Sequence, residues 1–302
     1  MHDVIIIGGG PAGLTATVYA ARKKLDTLVL TKEFGGQPMW TMEIENYMGY
    51  QFITGPELME KFDEQARRHA DNIKYEEVKK LIINDDGSFT VQSDQGEYTT
   101  KTVIIASGKR PRRLEVPGEV EFTGRGVSYC ATCDGPLYSN KTVAVVGGGN
   151  SALQAALELS AVANKVYLVV RGGYSADPII IDKLHQAKNV IELKGYISKA
   201  VRGEKYVEKL TVARKDRGEE TDLDVQGVFV EIGLKPNSEF VEGIVALNNR
   251  REILVDGRCQ TNIPGIFAAG DVTDGIDKQI VIAAGDGSKA ALAVYEYLLH
   301  KK

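Results

Sequence analysis

The stretch Val4-Ile5-Ile6-Ile7-Gly8-Gly9-Gly10-Pro11-Ala12-Gly13, followed by a helix-patterned run from Leu14 to Lys23, decides the fold. A short unbroken apolar run bounded by glycines reads as a strand buried on both faces. Gly8, Gly10 and Gly13 fit G-x-G-x-x-G. In that pattern a side chain would keep the backbone away from a pyrophosphate, and the helix that follows supplies free N–H groups and a partial positive charge. Gly-rich turns also serve tight packing, but one set between a strand and a helix reads as a dinucleotide site. A second apolar run, Thr27–Leu30, follows at the spacing of a βαβ unit.

The same pattern returns with the strand Thr142–Val146, the turn Gly147-Gly148-Gly149-Asn150-Ser151-Ala152, the helix Leu153–Ala163 and the strand Val166–Val170. Gly147, Gly149 and Ala152 fit the variant that ends in Ala. A whole nucleotide-binding unit is therefore repeated, rather than a short solenoid period. Two such turns mean two dinucleotides, or one working site and one relict. An acidic residue about 20 residues beyond the turn normally binds the ribose hydroxyls. Thr31 takes that place in the first unit and can still hydrogen-bond a hydroxyl, with Glu33 two residues on. Val170 takes it in the second and cannot, with Arg171 next. The first turn reads as functional and the second as impaired.

Between the two units, Ser88–Ser93, the turn Asp94-Gln95-Gly96 and Glu97–Thr100 read as a hairpin, and Thr102–Ala106 as a separate strand. The run Lys109-Arg110-Pro111-Arg112-Arg113 reads as a linker. Asp177-Pro178 reads as an N-cap with Pro at the first helical position. Strands are expected at Leu210–Ala213, Leu223–Val225, Val228–Ile232 and Gly265–Ala269, and a last helix from about Ala283 to Leu299. The expected fold class is α/β, with two Rossmann-like three-layer ββα nucleotide-binding domains, the second inserted into the first. Residues 1–112 and 243–302 form the first, and 113–242 the second.

Composition agrees with two domains. The chain has 302 residues, 43% apolar and 26% charged, which is ordinary for a globular chain. Its 32 glycines exceed the roughly 7% of average proteins. A net charge of −4 with no basic stretch argues against nucleic acid as a partner. No basic-then-apolar leader opens the sequence. No apolar run approaches the roughly 20 residues needed to cross a bilayer. No membrane association is expected, and the expected location is the cytoplasm.

Cys130-Ala131-Thr132-Cys133 runs directly into Asp134-Gly135. C-x-x-C near a βαβ pattern reads as a redox pair, in which one thiol of lowered pKa attacks as thiolate. Half of a zinc site is the alternative. Zinc needs two more ligands, and only Cys259, His2, His69, His185 and His300 remain, so no metal is expected. Cys259, in Asp256-Gly257-Arg258-Cys259, is expected to be structural, in a turn leading to a strand.

With these residues in view, the chain resembles the low-molecular-weight thioredoxin reductases from end to end. The matching stretches are Gly8–Gly13, Gly35-Gly36-Gln37, Ile44-Glu45-Asn46, Gly126 through Gly135, Gly147–Ala152, and Gly265-Ile266-Phe267-Ala268-Ala269-Gly270-Asp271, with Gln279-Ile280 leading into the last helix. The resemblance implies an FAD domain interrupted by a pyridine-nucleotide-like domain that carries the cysteine pair, and a homodimer. It implies that Gly8, Gly10, Pro11, Ala12 and Gly13 hold the FAD pyrophosphate. Gly35, Gly36, Gln37 and Asn46 would lie along the flavin. Asp271 after Gly270 would bond the ribityl chain, and Lys278, Gln279 and Ile280 would sit near the flavin ring. Cys133 would be the sulfur nearer the flavin, Cys130 the one that attacks the partner, and Asp134 the general acid and base. A helix cap is the alternative for Asp134.

Three departures from the family pattern bear on function. Members that use NADPH follow the second strand of this unit with His-Arg-Arg and a further Arg, whereas Val170-Arg171-Gly172-Gly173-Tyr174-Ser175-Ala176 keeps one arginine. The doubtful second nucleotide site therefore consists of Gly147, Gly149, Asn150, Ser151, Ala152 and Arg171. The run Pro38-Met39-Trp40-Thr41-Met42 is bulkier than the family's, with Trp40 read as core rather than flavin cover. Asn150 replaces an Asp often found after the second turn. The expected function is an FAD-dependent thioredoxin-disulfide reductase taking electrons from ferredoxin in preference to NADPH. One alternative is an NADPH- or NADH-linked flavoprotein of the thioredoxin reductase or alkyl hydroperoxide reductase type. The chain resembles the latter through Gly233-Leu234-Lys235-Pro236-Asn237 and the stretch near Asn262. Its extra N-terminal redox domain is not expected here, since the glycine turn begins at residue 8. A flavin redox sensor without turnover is the other alternative, disfavoured because it would not need Asp134.

Overall fold

The computed structural model describes residues 1–40, 44–70 and 72–300. The run Pro38 to Met42 is only partly among them, and the side chain of Trp40 lies outside them. In chain order the first part is β1 (His2–Gly9), α1 (Pro11–Arg22), β2 (Thr27–Phe34), α2 (Gly55–Arg67), β3 (Ile73–Tyr75), β4 (Val78–Ile83), β5 (Phe89–Ser93), β6 (Glu97–Ile105) and β7 (Lys109–Pro111). The insert holds β8 (Val127–Ser128), α3 (Ala131–Asp134), β9 (Thr142–Val146), α4 (Asn150–Ser160), β10 (Lys165–Val170), α5 (Pro178–Leu184), β11 (Val190–Lys194), β12 (Tyr196–Gly203), β13 (Val207–Arg214), β14 (Glu220–Asp224) and β15 (Gly227–Val230). β16 (Leu234–Pro236), β17 (Ile266–Ala268) and α6 (Ile280–His300) follow.

The chain divides into two compact units, the first containing Met1–Met39, Glu45–Arg110 and Lys235–Lys302, the second Pro111–Leu234. The return crossing falls before the boundary expected at 243, because Val241 and Val245 pack into the core of the first unit. In the first unit β1 lies between β2 and β6, parallel to both, and β17 is parallel to β6. β4 and β5 extend the sheet antiparallel. The period-2 alternation of β1 divides its side chains between two layers. Val4 and Ile6 face Ala12, Ala16, Ala20 and the alanines of α6. Ile5 and Ile7 face Leu81, Phe89 and Val91 and the chain around Val241 and Ile253. Both faces are covered, so the strand is apolar throughout.

The second unit repeats the plan. Its five-stranded sheet runs β11-β10-β9-β15-β8 with every neighbour parallel. Val143 and Val145 face α4 through Leu153, Ala156 and Leu159. Ala144 and Val146 face Leu210, Val212 and Leu223 of the antiparallel sheet β12-β13-β14. Each unit therefore has helix, parallel-sheet and antiparallel layers.

The structure adjusts several expectations. Helices α1 and α4 begin at Pro11 and Asn150, not Leu14 and Leu153, because the last residues of each glycine turn are already helical. Likewise α6 starts at Ile280, before the expected Ala283. The hairpin arm and the strand expected on either side of Lys101 are one strand, β6. Thr100 and Thr102 are fully buried there. Their hydroxyls donate to backbone carbonyls of Thr102 and Asp3 at 2.9 and 2.6 Å, so polar residues sit in the sheet without an unmet bond. Asp177 does precede α5, with Pro178 at its start, but its side chain caps nothing there.

Ile6 is wholly buried between α1 and α6. Ile6→Ala is expected to cost about 2–5 kcal/mol, read as a lower urea midpoint. Val120→Ala, at an exposed position, should stay within about 0.5 kcal/mol of the parent.

Candidate active site

The first glycine turn is shaped by close backbone approach. Gly8 has φ +121°, and a Cβ there would lie 2.2 Å from the Ala106 carbonyl oxygen. A Cβ on Gly13 would lie 1.9 Å from the Gly8 carbonyl oxygen. Gly10 differs, because its Cβ position meets nothing nearer than the Gly35 carbonyl oxygen at 3.9 Å. It is the N-cap of α1 and supplies no side-chain cap. Pro11 at N1 has no N–H to lose, so the remaining N–H groups of the first turn face a space walled by glycine. Gly36, at φ +64°, closes the opposite wall, where a Cβ would lie 3.7 Å from the Gly10 Cα. Gly270, at φ +73°, packs its Cα side on Ala12 and so delivers Asp271 to the same place. This cradle, which side chains would fill, fits a pyrophosphate group.

The other residues expected at that site gather within the first unit. Gln37 Nε2 donates to Asp271 Oδ2 at 3.3 Å, and Asn46 Nδ2 to Gln279 Oε1 at 3.3 Å. Burial pushes the Asp271 carboxyl above the usual carboxylate range, against the pull of Lys278 and Lys109. Burial, and then Lys109, push the Lys278 ammonium below its ordinary value, while its Nζ donates to the Thr273 carbonyl at 2.8 Å. Lys109 forms a buried ion pair with Glu252, whose other oxygen accepts from Asn248 Nδ2 at 2.6 Å. Thr31 is buried and its hydroxyl donates to the Glu33 carbonyl at 2.6 Å, which leaves it only acceptor capacity toward a ribose.

Cys130 and Cys133 are joined as a disulfide, with Cα atoms 5.3 Å apart. Cys130 is the N-cap of α3, and its Sγ accepts the Cys133 N–H at 3.2 Å. Ser128 clamps both sides of the pair. Its Oγ donates to Asp134 Oδ2 at 2.6 Å and accepts the Cys130 N–H at 3.1 Å. Asp134 makes no side-chain cap bond to the turn Gly135–Tyr138 that it precedes, so the carboxylate is directed by Ser128 and not by capping. The phenol of Tyr138 is pushed up to about 12 by burial and by the charge of Asp134.

The second glycine turn lies in the same unit as the disulfide, and Glu231 joins them. Gly147 has φ +151°, and a Cβ there would lie 2.2 Å from the Glu231 carbonyl oxygen. The Glu231 carboxylate accepts from Ser151 Oγ at 2.5 Å and from the Ala131 N–H at the start of α3. Burial pushes this carboxyl up, the two hydrogen bonds oppose that, and Glu158 adds to it. Past β10, the Ser175 N–H donates to the Gly148 carbonyl at 2.8 Å. Asn150 bonds Asp177 twice, through its Oδ1 to the Asp177 N–H at 2.7 Å and from its Nδ2 to the Asp177 carboxylate at 3.0 Å. Val170 is buried in the core under Gly148, and Arg171, Gly172 and Gly173 are exposed.

Among the described residues no group of three or more His, Cys, Asp or Glu side chains is placed to hold a metal, and no helix is long and apolar enough to cross a membrane. Cys259 is buried at φ +63° against α6, with its thiol pushed up to about 11, chiefly by burial. Sequence reasoning did not single out Ser128, Glu231, Asp177, Lys109 or Glu252 as site residues. Ser128 alone carried a local signal, as a small hydroxyl two residues before the pair.

Three relatives place the chain among known proteins. It is 41% identical over 300 residues to an NADH dehydrogenase of Bacillus subtilis, and 42% identical over 304 residues to a subunit of the alkyl hydroperoxide reductase of Pseudomonas putida. Each match covers 98% of this chain, which spans 58% of the relative's length. The crystal structure of thioredoxin reductase from Streptococcus pyogenes superposes with a TM-score of 0.94 at 38% identity, over 99% of both chains. A model of the pyridine nucleotide-disulphide oxidoreductases matches residues 2–287. The chain therefore belongs to that family, whose members are FAD-dependent enzymes.

Proposed function

We propose that this protein reduces a disulfide of a thioredoxin-type partner, with Cys130 and Cys133 as its redox pair and FAD held at the first glycine turn. The observation that carries this reading is the disulfide itself, with Cys130 Sγ accepting a backbone N–H and Asp134 held beside it by Ser128. Gly8, Gly10, Pro11, Ala12 and Gly13, with Gly35, Gly36, Gln37, Asn46, Gly270, Asp271, Lys278, Gln279 and Ile280, hold the cofactor. FAD, when bound, supplies two-electron transfer between a donor and the pair. The family resemblance extends the reading to a homodimer.

The cysteines then act in order. Two electrons and two protons break the S–S bond, leaving Cys130 as thiolate, Cys133 as thiol and Asp134 protonated. Cys130 is the attacking sulfur, because the N–H bond it accepts favours its thiolate form. Its Sγ attacks the partner disulfide, forms a mixed disulfide and expels one partner thiolate, which takes a proton from Asp134. Cys133 returns a proton to Asp134 and attacks Cys130 Sγ. The second partner thiolate leaves and takes that proton from Asp134, which is again a carboxylate, and the pair is again a disulfide. The net result is one partner disulfide reduced by two electrons and two protons.

Ferredoxin is our preferred donor. Two of the three arginines that NADPH-using members place around the 2′-phosphate are Gly172 and Ala176 here. Two lost charge-assisted contacts cost about 3–6 kcal/mol, or roughly two to four powers of ten in affinity. Val170 offers no acceptor for an NADH ribose. NADH is nevertheless the second reading, favoured by the relatives named for NADH dehydrogenase and alkyl hydroperoxide reductase.

Cys130→Ser and Cys133→Ser are each expected to abolish thioredoxin reduction while FAD stays bound. Near-parental turnover in either would show that the electron path is wrong. Asp134→Asn should slow turnover by about 10²–10⁴-fold. For the donor, anaerobic rapid mixing with NADPH, NADH and reduced ferredoxin is decisive. Ferredoxin should bleach the flavin fastest, and rapid bleaching by micromolar NADPH or NADH would return the protein to the nucleotide-linked enzymes.

A further inference from the structure

The two glycine turns carry opposite charge balances, and we propose that Glu231 and Asp177 exclude pyridine dinucleotides from the second turn by setting negative charge beside the place a pyrophosphate would take. In turnover the consequence rests on the donor reading above, but the exclusion itself is a binding property that stands or falls separately.

The argument starts from what faces the first residues of each helix. Opposite the start of α1 the chain presents Gly35 and Gly36, where a Cβ on Gly36 would lie 3.7 Å from the Gly10 Cα and no side chain intervenes. The carboxylate delivered there, Asp271, is balanced by Lys278 and Lys109. Opposite the start of α4 the corresponding loop presents Ser175, Ala176 and Asp177. That loop is tied down by the Ser175 N–H on the Gly148 carbonyl and by both bonds between Asp177 and Asn150. From the other side Glu231 holds Ser151. The side chains of the first two residues of α4 thus each hold a carboxylate, next to a helix start whose N–H groups have no side-chain cap and would otherwise meet a phosphate. The charged neighbour acting on Glu231 is Glu158, itself acidic.

Two further details hold these carboxylates in place. Asp177 is the N-cap of α5 yet makes no cap bond to it, because its carboxylate is turned to Asn150 of the neighbouring helix. Glu231 also holds the N–H of Ala131, so moving it aside for a ligand would strip a bond from the helix that carries the disulfide. The helix dipole favours a carboxylate at α4 as it would a phosphate. A pyrophosphate placed at this helix start would therefore meet like charge from both carboxylates.

The test is calorimetric titration of the oxidised holoprotein with ADP-ribose and with NADH, in the parent, Asp177→Asn, Glu231→Gln and the double variant. Gln can keep the bonds from Ser151 and Ala131 while removing the charge. The double variant should bind both probes about tenfold or more tightly than the parent, the scale of one charge-assisted contact. An unchanged affinity in a variant with native flavin spectrum and thiol count overturns the proposal. Salt gives a measurement free of folding effects. As the screening length falls from about 30 to about 3 Å, the parent should bind ADP-ribose more tightly, and weakening instead would overturn the proposal. Asp177 is exposed, so Asp177→Asn with the salt series decides the matter if Glu231→Gln does not fold. The affinity ratio judges this proposal, whereas the absolute rate of flavin reduction by NADPH or NADH judges the donor reading.

Discussion

Backbone-to-backbone approach at α1 is the constraint on which the rest of the first unit depends. On one side Gly13 lets the helix meet the Gly8 carbonyl, where a Cβ would stand 1.9 Å away. On the other, Gly287 of α6 lies where a Cβ would be 2.1 Å from the Ala12 carbonyl oxygen. A helix held this closely on two sides has room only for small residues along the contact, which is why Ala12, Ala16, Ala20, Ala283, Ala290 and Ala291 share one core cluster. The same closeness leaves Gly10 uncapped and unobstructed. One steric requirement thus sets the layer packing and also opens the anion cradle at the helix end.

The repeat of this plan in the second unit keeps the backbone and changes the chemistry. Gly147 approaches the Glu231 carbonyl as Gly8 approaches that of Ala106, so the turn survives as architecture. The side chains around it serve different ends. Glu231 spans from α4 to the N–H of Ala131, and Ser128 fixes Asp134 against the cysteines from the opposite direction. The disulfide therefore sits in a frame of hydrogen bonds supplied by the ends of β8 and β15, neighbours of the same parallel sheet through β15–β8 pairing. This placement at the carboxyl ends of parallel strands is where open α/β sheets put their chemistry.

Much of this was legible in the sequence where one local rule acted alone. The unbroken run Val4–Ile7 and the glycines after it specified strand, turn and helix without help from distant residues. The cysteine pair with Asp134 was equally local. Strand β6 was not, because Thr100, Lys101 and Thr102 break the apolar pattern, and carbonyls of His2, Asp3 and Thr102 satisfy the buried hydroxyls. Helix α2 was missed although Thr54 and Glu57 form a reciprocal capping box, since Gly55-Pro56 reads more readily as a turn. Glu231 was illegible in principle. It follows the apolar run Val228–Val230 as an ordinary strand end, and only the parallel sheet brings it to Ser151 and Ala131.

The way the first unit is assembled also bears on its biosynthesis. Its sheet needs β17 beside β6, with Phe267 paired to Ile104 and Ile266 to Val103, across the whole length of the insert. The second unit, by contrast, draws every strand of its parallel sheet from one continuous segment. Chains emerge N-terminus first and contiguous segments close their loops at lower entropic cost. The inserted unit thus completes its core on the ribosome while the first still lacks β17 and α6. Until those arrive, the small-residue face of α1 is exposed, which makes the stretch of translation from Leu234 to α6 the interval in which a nascent chain most needs a chaperone.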